Sequence, residues 1–345
     1  MDPVAALRRI AFLLERGQSP TYRVKAFRTA ATTLATLPDG ELEQRAANGS
    51  LTSLPGIGPK TAAVAEQAFA GGVPDYLADL ERDLQPLAVG GEELREALRG
   101  DLHTHSSWSD GGSPIEEMAF TGAEIGHEYM VLTDHSPRLT VANGLTAERL
   151  QQQLKVVAAV NRALPDFTLL SGIECDINED GTLDQTDEML GKLDLVVASV
   201  HSKLRSGAAE MTARMLAAVR NPHTDVLGHC TGRMVAAGPT RGRPTNRPES
   251  VFDAEKVFAA CAEHGVAVEI NSRPERLDPP KRLIRMALDA GCLFSIDTDA
   301  HAPGQLDWQL LGCARAAECG VPADRIVNTW PVADLLSWTA TRARP

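Results

Sequence analysis

From Asp101 to residue 340 the chain alternates short apolar runs with helical patterns of ten or more residues. The runs cover 129–132, 168–173, 193–200, 225–227, 266–270 and 292–296. This alternation builds parallel strands with crossover helices, because a parallel pair cannot be joined by a tight turn. About seven such units fit into residues 101–340, which suits a closed or nearly closed barrel better than an open sheet. Hydrophobic residues make up 43% of the chain but aromatics only 4%, so the core must come from Ala, Val, Leu and Ile. No internal repeat is visible. Residues 233–249, rich in Arg, Pro and Gly, read as a mobile loop beside the barrel mouth.

The nine histidines are not scattered at random. His103 and His105 form an HxH in GDLHTH. His135 follows YMVLTD, His201 follows LVVASV, His229 follows DVLG, and His301 lies in SIDTDAH. Each sits just past an apolar run. Asp110, Glu174 and Asp299 hold similar strand-end or loop positions. In a parallel α/β barrel all strand C-termini open onto one mouth, so these nine residues converge although far apart in sequence. Imidazoles with bridging carboxylates are the ligand set for Zn, Mn or Fe. Two or three such ions together activate a water and neutralise a phosphoryl group. A single strand-end histidine reads as a cap or hydrogen-bonding residue; six of them with three acids do not. His127, His223 and His264 sit in helical or loop contexts and read as structural. Lys203, Arg233, Arg273 and Arg276 follow strand ends and are candidate substrate cations. Asn271 reads equally as a support for the ligands or as substrate-facing.

The series DLHTHSSWSDG, TDHS, GIECDI, VHS, GHCTGR, EIN and DTDAH resembles the PHP (polymerase and histidinol phosphatase) domain in motif and order, across residues 100–340. The resemblance implies an α/β fold, a distorted (β/α)7 TIM-like barrel, holding three divalent metals. It also implies the ligand sets. His103, His105, Glu174 and Asp299 would hold the first metal. Glu174 would bridge to a second, held also by His201 and His229. Asp110, His135 and His301 would hold the third. Many PHP domains have histidine where Asp110 stands; the acid is usual in the branch attached to bacterial family X DNA polymerases. GHCTGR and RLD match that branch too, which favours Arg233 and Arg276 as substrate residues.

Residues 1–80 carry helical periodicity and no strand. Ala6, Ile10, Leu13 and Leu14 form one stripe, and Val24, Phe27, Ala31 and Leu34 another. A third pattern covers 61–69. LPGIGPK, with Gly56, Gly58 and Lys60, resembles a helix-hairpin-helix, whose Gly-x-Gly turn offers backbone N–H groups to a DNA phosphate without reading bases. YRVKAFRTAATTLATLP resembles the start of the small N-terminal domain of family X polymerases. A Schiff-base lysine known in some of those domains would fall at Val64, so that lyase activity is not expected. Residues 1–81 hold eight Lys/Arg and nine Asp/Glu, so any DNA grip is local and weak. Residues 81–100 read as a linker with a short helix, and 101–340 as the barrel. No nucleotidyltransferase motif separates the two ends, so polymerase activity is not expected.

The formal charge of −12 argues against nucleic acid wrapping the whole surface. Six cysteines without a CxxC read as reduced thiols, and no run suits a signal peptide or membrane span, which places the protein in the cytoplasm. The expected activity is metal-dependent hydrolysis of phosphate esters by metal-activated water, as a 3′–5′ exonuclease or DNA-end processing enzyme. The rivals are a phosphomonoesterase on a small metabolite, of the histidinol phosphatase kind, and a non-catalytic DNA-binding module.

Overall fold

The computed structural model describes residues 1–235 and 246–341, and divides into two compact units, Met1–Pro86 and Leu87–Pro345.

The first unit is all helical: α1 (Pro3–Arg16), α2 (Thr21–Ala35), α3 (Glu41–Asn48), α4 (Pro59–Phe69) and α5 (Asp75–Arg82). Asp2 caps α1 by accepting from Ala5 N, and Pro3 occupies the first turn, where a missing N–H costs nothing. Both expected stripes are buried: Ala6, Ile10, Leu13 and Leu14 on α1, and Val24, Phe27, Ala31 and Leu34 on α2. Each fully buried leucine or isoleucine contributes roughly 1.5–3 kcal/mol. Glu15, buried among them, is held by a two-pronged bond from Arg28 at 3.0 and 2.7 Å. On α4, Thr61, Ala62, Val64, Ala65 and Ala68 turn inward, while Phe69 is exposed.

The second unit opens with α6 (Glu92–Ala97) and then builds a seven-stranded parallel sheet in sequential order. The strands are β1 (Gly100–Thr104), β2 (Tyr129–Leu132), β3 (Thr168–Asp176), β4 (Leu195–Ser199), β5 (Val226–Leu227), β6 (Ala267–Asn271) and β7 (Phe294–Asp297). The crossovers carry α7 (Ile115–Glu124), α8 (Ala147–Ala163), α9 (Asp187–Leu190), α10 (Ala208–Val219), α11 (Ala254–His264) and α12 (Lys281–Asp289). After β7 come α13 (Gln309–Glu318) and α14 (Val332–Thr341). The sheet closes on itself beyond β7: Thr104 bridges Ala300, and His105 N donates to Ala300 O at 2.8 Å. The result is a nearly closed (β/α)7 barrel. Gly100 permits the β1–β2 approach, since a Cβ there would lie 2.3 Å from the Tyr129 ring.

Helices and strands share one large core, with Ile173, Val196, Met215, Phe258, Ile270 and Ile296 among its members. A separate cluster of Leu102, Val131, Leu170, Val197 and Val226 is closed by Val327 and Leu335. Leu170 and Glu174 have the same parity along β3, so one face of that strand passes from apolar packing to chemistry.

Several strands end on polar residues that an apolar count leaves out. β3 runs on through Glu174 to Asp176 because its backbone pairs with 197–199 of β4, and β6 and β7 end on Asn271 and Asp297. Of the Arg-, Pro- and Gly-rich stretch, the flanks are tied by paired bonds between Met234 and Arg247, at 2.9 and 3.0 Å. Residues 236–245 lie outside the described residues. No described helix is long and apolar enough to cross a membrane.

Candidate metal centre

The nine predicted donors meet at the mouth of the barrel. His103 lies on β1 and His105 one residue beyond it; Glu174 lies within β3; the other six sit in loops that follow strands. Glu174 is the hub. Its Oε1 lies 2.8 Å from His229 Nε2 and 3.2 Å from His201 Nε2. Its Oε2 lies 2.9 Å from His135 Nδ1, 3.3 Å from His103 Nε2 and 3.6 Å from His105 Nε2. Asp299 Oδ1 is 3.3 Å from His105 Nε2. Asp110 Oδ1 faces His301 Nε2 at 3.3 Å and His135 Nε2 at 3.5 Å.

Among the described residues, three groups have donor atoms all within 4.8 Å of one another: His105, Asp110, His135 and His301; His103, His105 and Asp299; and His135, Glu174 and His201. His105 and His135 each belong to two groups, so the sites overlap more than the family pattern implies. His229 falls in none of them and reaches the centre through Glu174.

The donors fit a cluster of cations. His103 Nε2, both ring nitrogens of His105, His135 Nδ1, both ring nitrogens of His201, His229 Nδ1 and Glu174 Oε2 are buried without a hydrogen-bond partner. Orphaned polar atoms at this density are expensive unless something positive sits among them. The electrostatics agree. Burial raises the carboxyl pKa of Glu174, but the imidazoliums of His103, His201 and His135 outweigh it and hold the group well below its usual range. Burial likewise opposes charge on His103, His135 and His201, yet Glu174 leaves all three raised, His135 to about 10. Burial keeps His105 and His229 neutral, His229 at about 3. Protons thus balance Glu174 where divalent ions would, and ion binding must displace them. Asp299 is penalised by burial but stays ionised beside Arg276, whose Nε is 2.9 Å from its Oδ2. Asp299 also sits in the left-handed region at φ 53°, strain of a kind that gathers at functional sites.

The substrate candidates separate. Arg276 is at the centre, and its Nη1 is buried without a hydrogen-bond partner. Asn271 is buried, its Nδ2 3.3 Å from both Glu269 Oε2 and Asp299 Oδ2. Arg273 Nη1 donates to Asp299 O at 3.0 Å and meets His301 Nδ1 at 2.9 Å. Arg233 turns instead to the carbonyls of Arg276 and Leu277, bracing the loop that carries Arg276. Lys203 is exposed at φ 54°, and makes no ion pair with the cluster among the described residues.

Three acids outside the predicted set support it. Glu269 contacts His103 Nδ1 at 2.6 Å, and Asp176 lies 3.3 Å from His201 Nδ1. Asp134 accepts from Ser106 N, Ser106 Oγ and Gln153 at 2.6–2.7 Å and from Ser109 at 2.5 Å, which fastens the loop bearing Asp110. Strand parity was the available signal: Glu269 is two residues from Asn271, and Asp176 two from Glu174, on the same strand face.

In the first unit, Gly56 has φ 80°, and a Cβ there would lie 2.5 Å from Thr29 Cγ2. Gly58 is different. Its φ is −93°, a Cβ meets nothing within 4 Å, and its N–H donates to Thr61 Oγ1 at 3.0 Å. Lys60 Nζ sits 3.7 Å from the centroid of the Tyr76 ring.

Comparison with known families matches the PHP domain to residues 101–273 and the helix-hairpin-helix domain to residues 1–73. The DNA polymerase/3′-5′ exonuclease PolX of Bacillus subtilis (strain 168) is 37% identical over 238 residues, covering 69% of this chain. The match spans only 40% of that relative's own length. A probable phosphatase of Thermoanaerobacter sp. (strain X514) is 28% identical over 243 residues, covering 66% of this chain and 89% of that protein. The crystal structure of histidinol phosphate phosphatase from Lactococcus lactis subsp. lactis Il1403, complexed with zinc, L-histidinol and phosphate, aligns at a TM-score of 0.45 and 19% identity, over 64% of this chain and 94% of that one. By the family match over its barrel, this chain belongs to the PHP domain family.

Proposed function

We propose that this chain is a metal-dependent 3′–5′ exonuclease or a related hydrolase of DNA ends, with three divalent ions held by His103, His105, Asp110, His135, Glu174, His201, His229, Asp299 and His301. The coarser statement stands on the family and the donor set: the chain is a metal-dependent phosphoric ester hydrolase. The observation that carries the reading is the convergence of nine donors, several of them orphaned, around Glu174, whose two oxygens face five of the histidines. Divalent ions bound there would lower the pKa of a water and neutralise phosphoryl charge.

The chain's own groups do the rest. Glu174 presents one oxygen to His201 and His229 and the other to His103, His105 and His135, and so joins neighbouring sites. Arg276 orients Asp299 through Nε and keeps Nη1 for an equatorial phosphoryl oxygen, where a preorganised donor is most effective. Asn271 donates to the same Asp299 oxygen at 3.3 Å. Arg273 sets the ring of His301. The DNA reading rests on the helix-hairpin-helix match and on the acid at Asp110. The N-terminal unit would hold a backbone phosphate weakly, through the turn at Gly56 and through Lys60.

The second reading, a phosphomonoesterase on a small metabolite, is favoured by the charge of −12 and by a match that covers most of a probable phosphatase. One set of assays separates them: 5′-labelled single-stranded DNA, nicked duplex, p-nitrophenyl phosphate and histidinol phosphate, each with Mn or Zn. Shortening from the 3′ end supports the exonuclease. Turnover of monoesters alone supports the second reading. No turnover with metals bound defeats both.

A further inference from the structure

We propose that Glu269 is a positioning residue that presents His103 and His229 to the metals, an inference that rests on the metal centre just described. Glu269 lies on β6 with none of its surface exposed. Its two oxygens serve two different histidines. Oε1 is 2.6 Å from His103 Nδ1, and Oε2 accepts from the backbone N–H of His229 at 2.5 Å.

The contact with His103 decides a tautomer. A carboxylate only accepts, so the ring nitrogen bonded to Glu269 carries a proton, and an ion that displaces the second proton takes the lone pair of the opposite nitrogen. That opposite atom, His103 Nε2, is buried, without a hydrogen-bond partner, and 3.3 Å from Glu174 Oε2. It therefore faces the hub as a ligand. The contact with His229 fixes the main chain just past β5, where the ring reaches Glu174 Oε1 at 2.8 Å. One carboxylate thus ties ligands from β1 and β5 across 166 and 40 residues of chain. Asn271 donates to the same Oε2 at 3.3 Å and steadies the group.

A purely structural acid at this position would affect stability and leave metal affinity and the ring tautomer alone. Glu269→Gln separates the two cases. Glutamine keeps the size, but its oxygen accepts from one of the two donors and its NH2 must face the other. Chelator competition should show zinc affinity at the tightest site weakened about 10–100-fold against wild type. In the zinc-loaded wild type, 15N-histidine NMR should place the His103 proton on Nδ1. Wild-type affinity in Glu269→Gln, or a proton on Nε2 of His103, would overturn the proposal. If the variant does not fold, the wild-type tautomer alone decides. A wild type that binds no zinc would overturn the metal centre itself, a result distinct from equal affinity in both proteins.

Discussion

Glu174 is the residue whose loss should be felt most widely, because five histidines face its two oxygens. Glu174→Gln should lower metal stoichiometry, read by elemental analysis, and cut ester hydrolysis by more than about 100-fold, since outer partners alone are worth 10–100-fold. Full activity in that variant would remove the hub. Arg276→Ala takes away a buried guanidinium donor left without a partner at the centre and should reduce kcat/KM by about 100-fold. His127, which is not one of the ligands, tests a different property. Burial in an unpartnered setting, with Arg95 adding repulsion, lowers its pKa from 6.5 to about 3. The unfolded chain takes up a proton below about pH 6.5 that the folded protein refuses. Stability is therefore full above that pH and falls toward pH 3. Between pH 7.5 and 5 the loss from this group is about 2 kcal/mol. Denaturant titrations should show that His127→Gln removes that part of the pH dependence; an unchanged slope would contradict it. The sequence placed His127 among the structural histidines by context, but its lack of partners is a fact of tertiary packing.

Elements decide what a motif can mean. LPGIGPK gives its two glycines equal standing, and the structure separates them. Gly56 needs its left-handed backbone and has Thr29 against it, whereas Gly58 has ordinary angles and open space. Gly56→Ala should cost about 1–2 kcal/mol in the first unit and weaken DNA processing. Gly58→Ala should change stability by less than about 0.5 kcal/mol. Thermal melts and gel-shift titrations of both variants check this, with p-nitrophenyl phosphate turnover spared in each. Equal effects of the two would defeat the distinction. The strands were legible for the same reason that the histidines were: a fully buried parallel strand is a short apolar run, and its polar end marks the mouth. Their limits were less legible. Glu174, Cys175 and Asp176 continue β3 only because β4 offers backbone partners, and nothing local in GIECDI says so. Arg233 and Lys203 follow strand ends as Arg276 does, yet of these three Arg276 alone reaches Asp299. Sequence places a long side chain near a mouth; the bend of its loop sets where the charge goes.

At the scale of the molecule, an acidic chain gathers its candidate metal donors in one unit and its helix-hairpin-helix motif in the other. Three divalent ions would carry six charges against a formal −12. Ions that bind only the folded barrel stabilise it by about 2.7 kcal/mol per site at a hundred times the dissociation constant. Chelation should therefore lower the melting of residues 87–345 by at least several degrees and leave the helical unit unaffected; calorimetry would resolve the two transitions. The most direct measurement follows 5′-labelled single-stranded DNA on a denaturing gel while Mn or Zn is returned stepwise to chelated protein. Intact strand without metal and progressive shortening from the 3′ end as the sites fill is the predicted result. DNA that stays whole at every loading, or hydrolysis that chelation does not touch, would contradict the account.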